Sequence, residues 1–315
     1  MPDRIHPRAL PERPVIPEVI CPGCQLPVRL AIDRLGCLHY RKAMPAYRSL
    51  LFVPGSRADR FGKAVAAGAD AVIIDLEDAV LPEEKVRARS ETLTWVSNWR
   101  GTGLGIRINS PRTAAGCADI AAIAGTAGSQ RADFLIVPKV ETPVDLEIVR
   151  EAIGRKVNLI AVIESGRALA NVHAIAGEAD GGLLFGGADY CAATGADLND
   201  WDALLTARGL IAAAAGSAGI PAYDVPALGI AADEVLTLTT RKAKALGFSG
   251  RACIHPDQVC AINAVFTPSA EELAEARAIV AAAAAGAGAV LHKGKMIDRP
   301  VVLAAERLLS RHKHS

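Results

Sequence analysis

Glu164 and Asp189 each close an apolar run, and the segment 167–178 between the two runs has the apolar period of a crossover helix. Strand, helix, strand in that order sets the two carboxylates on neighbouring parallel strands at the same end. In parallel α/β folds ligands bind at that end, and two hard oxygen donors there suit a Mg²⁺ ion that keeps its other positions for water or substrate. The expectation is a metal site built on Glu164 and Asp189.

Polar residues follow other apolar runs in the same way: Glu77 and Asp78, Arg107 and Asn109, Lys139 and Glu141. A barrel interior asks for layers of Val, Ile and Leu, so charge recurring at one edge points to chemistry rather than packing. Taken singly, each is equally explained as a helix cap or a solvated loop charge. Lys139 also leaves a metal-independent alternative open, a Schiff base with a ketone, which needs a lysine of depressed pKa.

The elements that must hold these residues recur regularly. Short buried strands are expected at 48–54, 71–78, 105–110, 134–140, 158–165, 182–189, 222–227 and 250–256, with helices at 57–67, 83–99, 144–153, 201–215 and 233–246 between them. Eight such units favour closure into an α/β (β/α)₈ TIM barrel over an open doubly wound sheet, and no GxGxxG follows the first strand. The barrel is expected over 48–267. Residues 268–315 read as C-terminal helices and a lid: a helix over 268–285, a glycine-rich hinge over 286–294, then an arm over 296–312.

Residues 1–47 differ in texture, being rich in proline, and are expected to form a disordered N-terminal extension. Cys21, Cys24, Cys37 and His39 leave a zinc site open there, and Met44 leaves open that the preceding residues are upstream sequence. A formal charge of +1 argues against nucleic-acid binding. The apolar stretches 210–222 and 278–291 fall short of the roughly 20 residues a membrane span requires. Seven scattered cysteines and a start without an apolar signal core point to a cytoplasmic enzyme.

RSLLFVPGS from Arg48, AVIIDLEDAV from Ala71, RINS from Arg107, VPKVE from Val137, IESG from Ile163, LFGGAD from Leu184, IHPDQ from Ile254 and KMIDRP from Lys295 follow one another across about 48–309. Together they resemble the citrate lyase β-subunit-like group of the HpcH/HpaI aldolase superfamily, Mg²⁺-dependent C–C lyases. The resemblance implies that Glu164 and Asp189 hold Mg²⁺, that Glu77 and Asp78 orient metal-bound waters, and that Arg107 lies beside the reacting carbons. It implies Asp298 as catalytic acid/base on a lid that closes over a neighbouring subunit, hence a homotrimer or a multiple of one. Phe52 and Lys63 match family positions that contact the coenzyme A nucleotide, and Arg57 and Arg60 are candidates to add phosphate pairing. The run VPALGI after Asp224 departs from the family pattern and puts the acyl carrier in question. The implied activity is cleavage of a 3-hydroxyacyl-CoA, such as citramalyl-CoA or malyl-CoA, to acetyl-CoA and a 2-oxo acid. The alternative within the group is a citrate lyase β subunit acting on a carrier-bound citryl thioester inside a multi-subunit complex.

Overall fold

Runs of Val, Ile and Leu that are apolar on both faces need cover on both faces, and a parallel sheet inside a ring of helices supplies it. A computed structural model shows that arrangement; it describes residues 44–126, 132–285, 290–292 and 295–312, and four short strands before residue 44. Eight parallel strands form a closed barrel: β1 (Ser49–Pro54), β2 (Ala71–Asp75), β3 (Leu104–Arg107), β4 (Phe134–Val137), β5 (Asn158–Ile163), β6 (Gly182–Phe185), β7 (Ala222–Asp224) and β8 (Gly250–Cys253). The ring closes where β8 meets β1, with Arg251 beside Ser49 and Cys253 beside Leu51. The protein is a (β/α)₈ barrel.

Alternate residues of each strand serve different layers. Leu50, Ile73, Phe134, Ile136, Ile160, Val162, Leu184, Tyr223 and Ala252 fill the interior. Their neighbours, among them Leu51, Val72, Ile74, Ile106, Leu135, Ala161 and Leu183, pack outward with the helices. Gly105 has a specific reason to be glycine, because a Cβ there would lie 2.3 Å from the Phe134 ring that occupies the barrel. Met44 and Tyr47 join the interior at the N-terminal end, the Tyr47 ring 5.4 Å from that of Phe134. Met44 and Tyr47, expected in the extension, thus pack into the barrel floor.

The helices are α1 (Phe61–Ala66), α2 (Lys85–Asn98), α3 (Ala114–Ala124), α4 (Pro143–Ile153), α5 (Gly166–Ala170), α6 (Val172–Glu178), α7 (Gly187–Thr194), α8 (Leu205–Ala218), α9 (Glu234–Leu246), α10 (Asp257–Phe266), α11 (Ala270–Ala285) and α12 (Arg299–His312). The single helix expected over 167–178 is two, broken at Asn171, whose side-chain amide donates to the Glu141 carbonyl at 2.9 Å. The hinge expected over 286–294 is partly regular: Val290–His292 pairs antiparallel with Lys295–Ile297, and the residues between lie outside those described. Helix α12 packs on α11.

The chain divides into two units, Met1–Ala43 and Met44–Ser315. In the first, Val19–Ile20 pairs with Pro27–Val28 and Leu30–Ile32 with Leu38–Tyr40, both antiparallel. The expected disorder and the zinc site on Cys21, Cys24, Cys37 and His39 concern positions or side chains outside those described. Among the described residues no helix is long and apolar enough to cross a membrane.

Candidate active site

The inward parity that places Ile73, Gly105 and Val162 inside the barrel reaches charged residues one step further along: Asp75, Arg107 and Glu164. Their carboxylates and guanidinium therefore collect at the C-terminal mouth, where barrel ligands bind. Asp75 is buried and grips Arg107 with both oxygens, Nε at 2.7 Å and Nη2 at 2.6 Å. The same carboxylate accepts the N–H groups of Glu77 at 2.9 Å and Ala79 at 3.3 Å, which folds the DLED turn back over the mouth. Phe52 lies under the guanidinium, its ring centre 5.2 Å from Cζ. Burial opposes the Arg107 charge, yet the Asp75 bonds and the nearby Glu77 and Asp78 raise its pKa above the ordinary arginine range. Arg107 is a fixed, permanent cation.

Glu77 is nearly enclosed. Burial pushes its carboxyl up to about 7 against the opposing pull of Arg107. Its Oε2 lies 3.0 Å from Arg107 Nη1, an ion contact without hydrogen-bond alignment, so this buried oxygen accepts no hydrogen bond. Lys85, at the start of α2, locks the turn from behind through the carbonyls of Leu76 and Glu77, both at 3.0 Å, and Asn109 Oδ1 at 2.6 Å.

Lys139 joins the two halves of the site. Its main-chain N–H donates to Glu164 Oε1, and its ammonium lies 2.5 Å from Asp189 Oδ1, 3.6 Å from Glu77 Oε1, and 3.9 Å from both Asp78 Oδ2 and Glu164 Oε1. The backbone here is left-handed, φ +56°, which costs a residue with a Cβ about 1–2 kcal/mol. Burial works against the ammonium, but the Asp189 hydrogen bond and the Glu164 and Glu77 charges hold its pKa above the ordinary lysine range. A Schiff-base lysine needs the opposite shift. Glu164, 4% exposed, is pushed up to about 7 by burial, with Lys139 opposing.

Asp189 differs from the expectation in one respect. Strand β6 stops at Phe185, and Asp189 sits in the first turn of α7 with 41% of its side chain exposed. The Gly186–Gly187 turn makes this position possible: a Cβ on Gly186 would lie 2.5 Å from Glu164 Cβ and 2.7 Å from its Oε2. Glu164, one residue past β5, and Asp189, in the helix that follows the neighbouring strand β6, are nonetheless brought together through Lys139.

Five carboxylates, Asp75, Glu77, Asp78, Glu164 and Asp189, surround one ammonium and one guanidinium, an excess of acidic groups that a hard divalent cation would neutralise. Among the described residues, no group of three or more His, Cys, Asp or Glu side chains is arranged to hold an ion by itself. Glu164 and Asp189, drawn together on Lys139, are two hard oxygen donors of the kind that Mg²⁺ takes alongside water.

Several expected members of the ring turn elsewhere. Asn109 is buried and bonded to Lys85, Asp119 and the Leu76 carbonyl, a brace for the turn. Glu141 pairs outward with Arg112 at 2.7 Å and Arg167 at 3.1 Å. Arg57 is paired with Asp59 at 2.8 Å, while Arg60 and Lys63 are exposed where the chain leaves β1 for α1. Asp298 makes no hydrogen bond or ion pair to the cluster among the described residues; it precedes α12, and its Oδ1 accepts the Val301 N–H at 3.4 Å. Two residues of the site escaped the sequence reading. Asp75 was legible as an acid at an inward strand position, and Lys85 carries no local signal, because its partners are set by the turn.

Three comparisons bear on this geometry. Residues 48–256 match the family model described as HpcH/HpaI aldolase/citrate lyase. An L-malyl-CoA/beta-methylmalyl-CoA lyase of Rhodobacter capsulatus is 33% identical over 294 residues, covering 82% of this chain and 92% of that protein. A citrate lyase subunit beta-like protein of Mycobacterium tuberculosis is 35% identical over 281 residues, covering 87% and 97%. Among solved structures, CitE from Mycobacterium tuberculosis in complex with magnesium, acetoacetate and coenzyme A superposes with a TM-score of 0.72 at 33% identity, covering 87% of this chain and 99% of that one. RipC from Yersinia pestis gives 0.63 at 37% identity, over 72% and 97%. The barrel, the acidic mouth and the matched span agree: this chain belongs to the HpcH/HpaI aldolase/citrate lyase family.

Proposed function

We propose that the protein is a Mg²⁺-dependent carbon–carbon lyase that cleaves a 3-hydroxyacyl-CoA of the malyl-CoA or citramalyl-CoA type to acetyl-CoA and a 2-oxo acid. The observation that carries this is the convergence of Glu164 and Asp189 on Lys139 beside the Asp75-held Arg107, at the barrel mouth. Glu164 and Asp189 would hold the Mg²⁺, with Glu77 and Asp78 orienting its waters. When bound, Mg²⁺ supplies Lewis acidity and charge neutralisation at the oxygens of the 2-oxo acid.

The remaining chemistry falls to the chain. Asp298, on a lid contributed by a neighbouring subunit, takes the proton of the substrate hydroxyl; the C–C bond breaks as the ketone forms, and its electron pair passes to the thioester enolate. Arg107 offsets charge on that enolate, which then takes up a proton to become the acetyl thioester. Phe52, Arg60 and Lys63 line the approach of the coenzyme, with Arg and Lys as phosphate partners. The lid implies a homotrimer or a multiple of one, and the cysteine usage supports a cytoplasmic setting.

Purified protein assayed against malyl-CoA, citramalyl-CoA and free citrate is expected to release acetyl-CoA from one of the thioesters. Activity only on a carrier-bound thioester would move the assignment to the citrate lyase β-subunit alternative, for which the VPALGI departure near the mouth is the supporting observation.

A further inference from the structure

Lys139 is the only non-glycine residue with positive φ among those described, and it sits between the two carboxylates proposed as ligands. Glycine would adopt φ +56° freely, so a lysine there needs a reason that involves its side chain. The left-handed backbone lets one residue make two contacts at once. Its N–H takes Oε1 of Glu164, and its ammonium takes Oδ1 of Asp189 at 2.5 Å. One oxygen of each carboxylate is thereby engaged, and Lys139 leaves the other, Oε2 of Glu164 and Oδ2 of Asp189. Beside Glu164 Oε2 the space is kept by Gly186, where a Cβ would come within 2.7 Å of that oxygen.

We infer that Lys139 is a positioning residue that limits Glu164 and Asp189 to one ligand oxygen each, and so selects a small octahedral cation against Ca²⁺. The physical basis is the difference between the two ions. Mg²⁺ is held by one or two carboxylates and keeps its waters, whereas Ca²⁺ gathers six to eight oxygens and uses carboxylates in bidentate fashion. A carboxylate with one oxygen already committed to an ammonium or an amide N–H offers less to Ca²⁺ while serving Mg²⁺ fully. This role rests on the metal-dependent activity proposed above.

The test is calorimetric titration of the full chain with Mg²⁺ alone and with Ca²⁺ alone, for the wild type, Lys139→Met and Lys139→Arg. Lys139→Met frees Asp189 for bidentate ligation, and the ratio of the Ca²⁺ to the Mg²⁺ dissociation constant is expected to fall by about tenfold. Lys139→Arg retains a cationic donor for Oδ1 and is expected to keep a ratio within about threefold of the wild type. A merely structural lysine would change the melting temperature or both constants together, not their ratio. If Lys139→Met does not fold, Lys139→Leu also removes the donor and carries the same expectation. A wild-type ratio in the variant that lacks the ammonium overturns the inference alone. A wild type that binds neither ion, or an Asp189→Ala variant that binds Mg²⁺ as the wild type does, overturns the metal reading and this role with it.

Discussion

Arg107 can serve an enolate only if its guanidinium is held in one orientation with its charge intact, and Asp75 does both. The pair is bidentate and nearly enclosed, with side-chain exposures of 17% for Arg107 and 2% for Asp75. Removing one partner of such a pair leaves the other uncompensated, typically at about 3–5 kcal/mol. Asp75→Asn is therefore expected to lower the urea unfolding midpoint and kcat together, while Mg²⁺ uptake at Glu164 and Asp189 persists. Unchanged kcat in a folded variant would show that Arg107 is oriented by something other than Asp75. The same residue marks where sequence reading fell short: the DLED motif drew attention to Glu77 and Asp78, although the acid that organises the turn is the one still inside the strand.

At the scale of elements, helix starts behind the mouth are fixed by polar caps that can be measured separately. Thr142 and Asp145 form the capping box of α4, and Asp145 also pairs with Arg112 at 2.6 Å. Burial opposes the Asp145 charge, but the N–H groups of Glu141 and Thr142, with Arg112, outweigh it and lower its pKa below the usual carboxylate range. A depressed folded pKa means stabilisation that is present above the unfolded value of about 3.9 and lost as pH falls through the folded one. Asp145→Asn should cost about 1 kcal/mol at neutral pH, with the gap to wild type closing below about pH 4. A gap independent of pH in chemical denaturation would contradict this. Asp298 caps α12 in a way that Asn also can, so Asp298→Asn is expected to keep the melting temperature while slowing the chemical step by about 10²–10⁴-fold. Equal losses of stability and rate would mean that capping is its whole role.

Every barrel strand was legible from the sequence, and so was the gathering of charged side chains at their C-terminal ends, because buried strands begin where apolar runs begin. The ends were overrun. In 71–78 and 182–189 the apolar pattern continues into turns whose main chain is bent by Asp75 and by the Gly186–Gly187 pair, and such long-range hydrogen bonding leaves no trace in local periodicity. Asn109 and Glu141 misled for the same reason: their partners, Lys85 and Arg112, are spatial rather than sequential neighbours.

For the molecule as a whole, the barrel needs its floor as well as its mouth. Tyr47 covers the Phe134 ring, and Tyr47→Ala is expected to cost about 3 kcal/mol in urea denaturation, in line with deleting other buried rings. A chain beginning at Met44 keeps both floor residues and should melt at the temperature of the full chain; a lower value would make the extension part of the fold.

The most direct measurement of the central claim is acetyl-CoA release from a 3-hydroxyacyl-CoA ester by EDTA-treated protein, before and after Mg²⁺ is restored, with Asp189→Ala alongside. The account predicts no turnover in EDTA, full recovery with Mg²⁺ in the wild type, and none in Asp189→Ala despite an intact fold. Full activity in the chelator, or recovery in Asp189→Ala equal to that of the wild type, would contradict it.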